Sequence, residues 1–268
     1  MNDDGRYLLD NQQAEAGERF DALAKLFNPS TFRHIEQRGL SEGWVVWEVG
    51  AGGPSIATWL AKRVGPTGRV VATDIDTSWL DNVQDRKFEV LRHDVAADAP
   101  PGAAFDLVHA RLVLAHVIDS DRAIANMVEA LRPGGWIILE EADPELQAMA
   151  CPDEFGPEQA LANKLKRDFR SLMATRGVDL RLGRTLPRRL RDAGLLDIQS
   201  DAYFPVGGPA CNELERATVE QIRGRLVDVG LATQQEIDRH LANVASGLLD
   251  IATSPMISAW ASKPLSIG

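Results

Sequence analysis

Two periodicities alternate along this chain. Over residues 13–27 the apolar positions Ala14, Phe20, Leu23, Ala24 and Phe27 recur at helical intervals, and Asn28-Pro29 predicts the end of that helix. Residues 30–40 predict a second short helix, with Gly39 near its end. Strand-like apolar runs follow at residues 44–49, 69–73, 88–91, 105–109 and 136–140. Helical patterns at 56–64, 78–84 and 121–131 separate most of them, and Pro133-Gly134-Gly135 reads as a sharp turn between the last helix and its strand. Such alternation predicts a parallel sheet with helices on both faces.

Beyond Asp143-Pro144 the pattern becomes mainly helical. Helices are predicted at 156–174, 185–193, 212–229 and 234–249, with a strand at 198–204. Residues 256–260 alternate well enough to predict a final edge strand. Neither an internal repeat nor a low-complexity linker interrupts the chain, so one domain with helical additions is expected over residues 1–268.

Charge narrows the classes of partner. With 29 basic and 39 acidic residues the net charge is -10, which disfavours a nucleic-acid partner held through its phosphates. The clusters Arg188-Arg189-Arg191 and Lys164-Lys166-Arg167 lie at helical spacing and read as solvated helix faces. Cys151 and Cys211 are far apart and form no disulfide or metal pattern. None of the five histidines pairs with carboxylates at zinc-ligand spacing, so no metal is expected. The polar start lacks a signal-peptide core and no apolar run is long enough to span a bilayer, so the expected location is the cytoplasm.

The segment that decides the chemistry is Glu48-Val49-Gly50-Ala51-Gly52-Gly53-Pro54, lying between an apolar strand and a helix start. Glycines let the backbone approach a ligand closely, and a helix start offers free N–H groups and a positive dipole end. The carboxylate of Glu48 suits a ligand with an ammonium group better than one with a pyrophosphate. A dinucleotide fingerprint wants a small glycine-like residue at the sixth position, where this chain has Ser55, and a phosphate loop wants Lys-Ser or Lys-Thr, which does not follow. Pro54 at the helix start does no harm, because the N–H it lacks would be unpaired there.

Three further strand ends fit a nucleoside. Asp74 stands 20 residues after Pro54, where an acid in nucleotide-binding α/β folds accepts hydrogen bonds from ribose hydroxyls. Asp76 is its rival, and a turn-capping aspartate is the alternative. Asp94 ends the third strand, with a surface turn as the alternative. His109, Arg111 and His116 follow at the carboxyl edge of the fourth strand, where open α/β sheets bind ligands. His116 is a candidate general base; a helix-face histidine packed on the core is the competing reading.

Taken together, residues 48–54, 71–76, 93–94, 105–116 and 131–136 resemble the class I S-adenosylmethionine-dependent methyltransferases, nearest the bacterial small-molecule branch. The resemblance covers about residues 44–142. Tyr7-Leu8-Leu9, Arg19-Phe20 and residues 255–264 also resemble that branch. It implies an α/β, Rossmann-like, seven-stranded, mostly parallel sheet with an antiparallel last strand, helices on both faces and a helical cap. Residues 1–42 would be the cap, 43–144 the cofactor-binding half and 145–268 the substrate-side half. S-adenosyl-L-methionine is the implied cofactor. Glu48 with Gly50, Ala51 and Gly52 would hold its methionine part, Asp74 its ribose, and Ile75, Asp94 and Val95 its adenine. Ala110 and Arg111 would line the sulfonium side, and Tyr7 and Arg19 would reach the methionine carboxylate. Pro54 replaces the third glycine of many members and is expected to tilt the helix entry. An Asn-Pro-Pro-Tyr type amine motif is absent after the fourth strand, which disfavours nucleobase N-methylation.

The implied reaction is methyl transfer to an O, N or C nucleophile of a small-molecule acceptor, with His116 the first candidate base and His109, Glu141 and Asp143 behind it. The run Glu140-Glu141-Ala142-Asp143 has a solvated turn as its other reading. No nucleic-acid or membrane partner is expected, and a homodimer is left open. An NAD-dependent oxidoreductase and a non-catalytic cofactor-binding protein are the alternative readings.

Overall fold

The computed structural model describes residues 14–265. Their chain divides into two compact units, each assembled from separate stretches of sequence. One holds the residues up to Asn28, Ala142–Arg181 and Tyr203–Pro255; the other holds Pro29–Glu141, Leu182–Ala202 and the residues from Met256.

The second unit is built on a seven-stranded sheet in the order β3-β2-β1-β4-β5-β7-β6. Its strands are β1 (Val45–Val49), β2 (Arg69–Asp74), β3 (Glu89–Arg92), β4 (Phe105–Arg111), β5 (Leu131–Ala142), β6 (Leu196–Tyr203) and β7 (Met256–Ser262). The first five run parallel. β7 runs against β5: Gly134 N–H at the start of β5 donates to the Lys263 carbonyl just past the end of β7 (2.9 Å), and Lys263 N–H donates back to Gly135 (2.8 Å).

Two expectations need correction here. The segment predicted as an edge strand lies between β5 and β6 and is buried at every position. β6, mostly exposed and polar, is the edge, a composition that blunts an open strand. Pro133-Gly134-Gly135 is no turn but part of β5, where the register with β4 shifts between Phe105 and Leu107. Only glycine fits at Gly135, since a Cβ there would stand 2.8 Å from the Phe105 carbonyl oxygen.

Side-chain alternation along the strands divides the sheet's two faces. Val46, Leu107, Ile138 and Trp260 pack with α2 (Ser55–Val64), α3 (Ser78–Asp81) and Ile35 of α1 (Ala14–Gln37). Trp47, Val108, Ile137, Leu139 and Ala259 pack with α4 (Ser120–Ala130) and α6 (Leu182–Asp192) on the other face. α1 corrects a further expectation, because it runs unbroken through Asn28-Pro29. Pro29 removes the N–H that Lys25 would have accepted, at a cost of about 3 kcal/mol. Burial of Phe27 before it and of Thr31, His34 and Ile35 after it holds both segments helical.

The helical unit contains α5 (Pro157–Thr175), α7 (Pro209–Asp228), α8 (Gln234–Ser246) and the first part of α1. Leu165, Leu172, Val219, Ile222, Leu226 and Ile237 form its core. Lys25 pairs with Glu213 (2.5 Å), and Arg216 with Glu18, fastening α7 to α1. A capping box between Thr233 and Glu236 starts α8. Among the described residues no helix is long and apolar enough to cross a membrane.

Candidate functional site

The carboxyl ends of β3, β2, β1 and β4 lie side by side, in register at Asp74↔Arg92, Val49↔Thr73 and Val49↔Ala110. The chain leaves β1 into a turn in which Gly50 has φ +59° and Gly52 φ +56°. A residue with a Cβ would be strained at both. Ala51 N–H donates to the Thr73 carbonyl (3.0 Å), and Gly52 N–H donates to Asp74 Oδ2 (2.8 Å). The glycine turn and the acid at the end of β2 therefore form one unit.

Asp74 accepts a second bond, from Asp76 N–H to Oδ1 (3.0 Å). Its burial raises its pKa, more than these N–H donors lower it. A desolvated carboxylate of this kind gains from further donors such as hydroxyls. Ile75, next in sequence, is 64% exposed, a bare apolar side chain beside the turn. Pro54 caps α2 with φ −81° in the helical region, and Thr58 N–H donates to its carbonyl (2.9 Å). The helix entry is thus regular despite the missing third glycine.

The neighbouring tips carry the other expected residues. His93 N–H donates to the Asp74 carbonyl (2.9 Å), which brings Asp94 beside the β2 tip. Asp94 is exposed, and its Oδ1 accepts Ala96 N–H (2.9 Å) and Ala97 N–H (3.2 Å), so it also closes its own turn. Val95 is buried. Ala110 is buried in β4, and Arg111 donates from Nη1 to Thr31 Oγ1 (3.1 Å). Tyr7 lies outside the described residues. Arg19 belongs to the helical unit, buried with its guanidinium 5.1 Å from the Phe20 ring centre.

A row of polar groups crosses the sheet beneath these tips. Glu48 and His109 are register partners and both are buried. His109 Nδ1 lies 2.6 Å from Glu48 Oε2, and its Nε2 lies 3.4 Å from Glu140 Oε2. Glu140 also receives Ser258 Oγ (2.7 Å) and Thr31 Oγ1, and faces His34 Nδ1 (3.2 Å). His34 Nε2 reaches Asp201 (3.1 Å) on the edge strand. Burial alone would lower the His109 pKa, but the Glu48 charge and its hydrogen bonds to both carboxylates raise it to about 9. Glu140 is held well below the usual carboxylate range, the desolvation that opposes this being outweighed by His109 and His34.

This row alters two expectations. His109, enclosed between two carboxylates with no exposed surface, is a structural cation. Glu140, Glu141 and Asp143 are all buried, so residues 140–143 are no solvated turn. Sequence reasoning missed Thr31, His34, Glu140 and Ser258 as partners. Their signal was parity: Glu48, His109, Glu140 and Ser258 share a strand face with Val46, Leu107, Ile138 and Trp260.

Glu141 points to the opposite face. Its Oε1 accepts the N–H groups of Val113 (2.9 Å) and Leu114 (2.6 Å), where the chain leaves β4 for a short 3-10 helix, Leu114–His116. Burial raises the Glu141 pKa to about 7, against the lowering effect of these N–H donors. His116 ends the 3-10 helix, half-buried, with its N–H donating to the Val113 carbonyl (3.0 Å). Asp143 lies in the helical unit and accepts Leu146 N–H (3.1 Å).

Residues 47–139 match the family model described as a methyltransferase domain. The ubiquinone/menaquinone biosynthesis C-methyltransferase UbiE of Ralstonia pickettii is 34% identical over 113 residues, covering 40% of this chain and 46% of that protein. Its Pseudomonas putida counterpart is 35% identical over 125 residues, covering 43% and 49%. The chain thus spans about half the length of the relatives it matches. Haemonchus contortus phosphoethanolamine N-methyltransferase 2, solved with S-adenosyl-L-methionine, aligns with TM-score 0.59 at 18% identity, over 97% of this chain and 60% of that one. An Aquifex aeolicus SAM-dependent methyltransferase aligns with TM-score 0.50 at 14% identity, over 94% and 99%. These two likenesses share the fold, and the family match falls on the strands that carry the glycine turn, Asp74 and Asp94. By that match residues 47–139 form a methyltransferase domain of the kind the family model describes.

Proposed function

We propose that the chain binds S-adenosyl-L-methionine at the strand tips and transfers its methyl group to an O, N or C nucleophile of a small molecule. The observation that carries this reading is the bond from Gly52 N–H to the buried carboxylate of Asp74, in a turn where Gly50 and Gly52 both have positive φ. Two properties fit the cofactor: a backbone cradle without side chains, and an acceptor raised in pKa by burial that gains from hydroxyl donors.

When bound, the cofactor supplies a methyl group on a positively charged sulfur, already activated for departure. The chain's work is then alignment. Gly50, Ala51 and Gly52 hold the methionine part, and Asp74 accepts the ribose hydroxyls. Ile75 covers the adenine, whose edge meets Asp94 and Val95. Ala110 and Arg111 line the sulfonium side. Glu48 acts with His109 as a paired group behind the turn. His116 accepts a proton where the acceptor must lose one. The relatives named as C-methyltransferases favour a carbon nucleophile among the three. The same reading makes the enzyme cytoplasmic, leaves a homodimer open, and gives it no nucleic-acid partner, in keeping with a net charge of -10.

Calorimetric titration with S-adenosylhomocysteine tests the cofactor assignment, with micromolar binding expected. Tight NAD binding without any response to S-adenosylhomocysteine would reverse it. Tritiated methyl transfer to a panel of phenolic, amine and enol acceptors tests the reaction. His116→Gln is expected to lower turnover at least tenfold with cofactor affinity unchanged; unaltered turnover would remove His116 from the reaction.

A further inference from the structure

We infer that Glu141 is a positioning residue: it clamps the loop after β4 against the glycine turn and so sets the sulfur-side wall of the cofactor site. The inference rests on the cofactor reading above. Three observations carry it. Glu141, 1% exposed, directs Oε1 at the N–H groups of Val113 and Leu114. Val113 in turn fills the space over Gly50, so closely that a Cβ on Gly50 would stand 2.3 Å from Val113 Cγ2. Leu112, just before it, holds φ +58°, a conformation that a leucine keeps only when its surroundings fix it. The Leu112 N–H bond to the Glu140 carbonyl (2.8 Å) and the Glu141 clamp hold the loop from both sides of this residue.

Glu141 does this at a cost. Its Oε2 is buried without a hydrogen-bond partner. Among the described residues the groups acting on it are the backbone N–H groups of Val113, Leu114 and Ala115. The other titratable groups on these elements have contacts of their own. Glu140 faces His109, Arg111 meets Thr31, Asp143 accepts Leu146 N–H, and His116 closes the 3-10 helix. A buried carboxyl with one working oxygen is retained where its hold on the backbone matters more than its own solvation.

Opening the loop returns Glu141 to water, where its pKa falls from about 7 toward the ordinary carboxylate value of 4.5. The closed loop therefore binds the proton more tightly, and opening becomes easier as pH rises from about 4.5 to 7.

Amide hydrogen exchange at Val113 and Leu114, read in the ligand-free protein, tests the clamp. Protection is expected to fall between pH 5 and pH 8 in the wild type and to stay level in Glu141→Gln, whose amide oxygen accepts the same two bonds. Calorimetry with S-adenosylhomocysteine gives the second reading. Glu141→Ala is expected to weaken binding at least tenfold, and Glu141→Gln to restore it within threefold. Equal protection profiles in wild type and Glu141→Gln, or wild-type affinity in Glu141→Ala, would overturn the inference. If Glu141→Ala does not fold, the exchange profiles decide alone. A wild type that does not bind S-adenosylhomocysteine would instead sink the cofactor reading, and the exchange profiles would still judge the clamp.

Discussion

His109 Nδ1 stands 2.6 Å from Glu48 Oε2, deep between two strands that pair sixty-one positions apart in sequence. The contact turns the conspicuous acid of the glycine segment inward. Glu48 therefore serves the turn from behind, as half of a buried ion pair, while Asp74 meets the turn directly.

Removing the imidazole leaves Glu48 and Glu140 as buried carboxylates without their shared cation. Breaking a buried pair in this way costs about 3–5 kcal/mol, so His109→Ala should unfold at markedly lower urea concentration. The pH dependence has a definite sign. The His109 pKa rises from 6.5 in the unfolded chain to about 9 in the folded one. Its contribution is complete below pH 6.5 and is lost as pH rises through 9. Urea titrations of the wild type from pH 6.5 to 9 should show that decline, and His109→Gln should flatten it. A wild type equally stable at both ends would count against the ion pair.

What could be read from the sequence was local. The strand-turn-helix at Glu48 to Ser55, the acid closing β2 and the polar run after β4 are each written in contiguous residues. The structure adds what depends on register. Nothing near Glu140 in the chain reveals that it faces His109, because their pairing follows from the order β1-β4-β5-β7. Nor does alternation within residues 256–260 reveal that β7 enters between β5 and β6. Pro29 illustrates the reverse failure. A strong local breaker was overridden by burial on both sides of it.

That override has a measurable cost. Pro29 denies α1 one backbone hydrogen bond, at about 3 kcal/mol, and returns about 0.5–1 kcal/mol by stiffening the unfolded chain. Pro29→Ala should therefore stabilise the protein by about 2–2.5 kcal/mol in urea denaturation. A loss of stability would show that the ring itself is packed against something that alanine cannot replace.

Asp74 accepts bonds from the N–H groups of Gly52 and Asp76. Asp74→Ala removes both and frees a buried Gly52 N–H, so S-adenosylhomocysteine affinity should weaken by about 1–3 kcal/mol. Asp74→Asn keeps an oxygen for one N–H but places an amide where a hydroxyl donor would arrive, so it should lose a comparable amount. Calorimetry on both variants checks the assignment, and wild-type affinity in Asp74→Ala would exclude this carboxylate from the site.

The glycine turn offers the sharpest separation of strain from crowding. Gly50→Ala meets two obstacles: a backbone at φ +59°, which costs an alanine about 1–2 kcal/mol, and a new Cβ placed 2.3 Å from Val113 Cγ2. Shortening the neighbour in Val113→Ala removes the crowding and leaves the strain. Gly50→Ala alone should therefore lose cofactor binding by tenfold or more, through displacement of the turn or of the loop that Glu141 holds. The double variant Gly50→Ala/Val113→Ala should recover part of that loss, and Val113→Ala alone should change affinity only slightly. The non-additive term of this cycle isolates the contact between the two segments. A coupling near zero, with both single variants binding S-adenosylhomocysteine like the wild type, would mean that the turn and the post-β4 loop act independently.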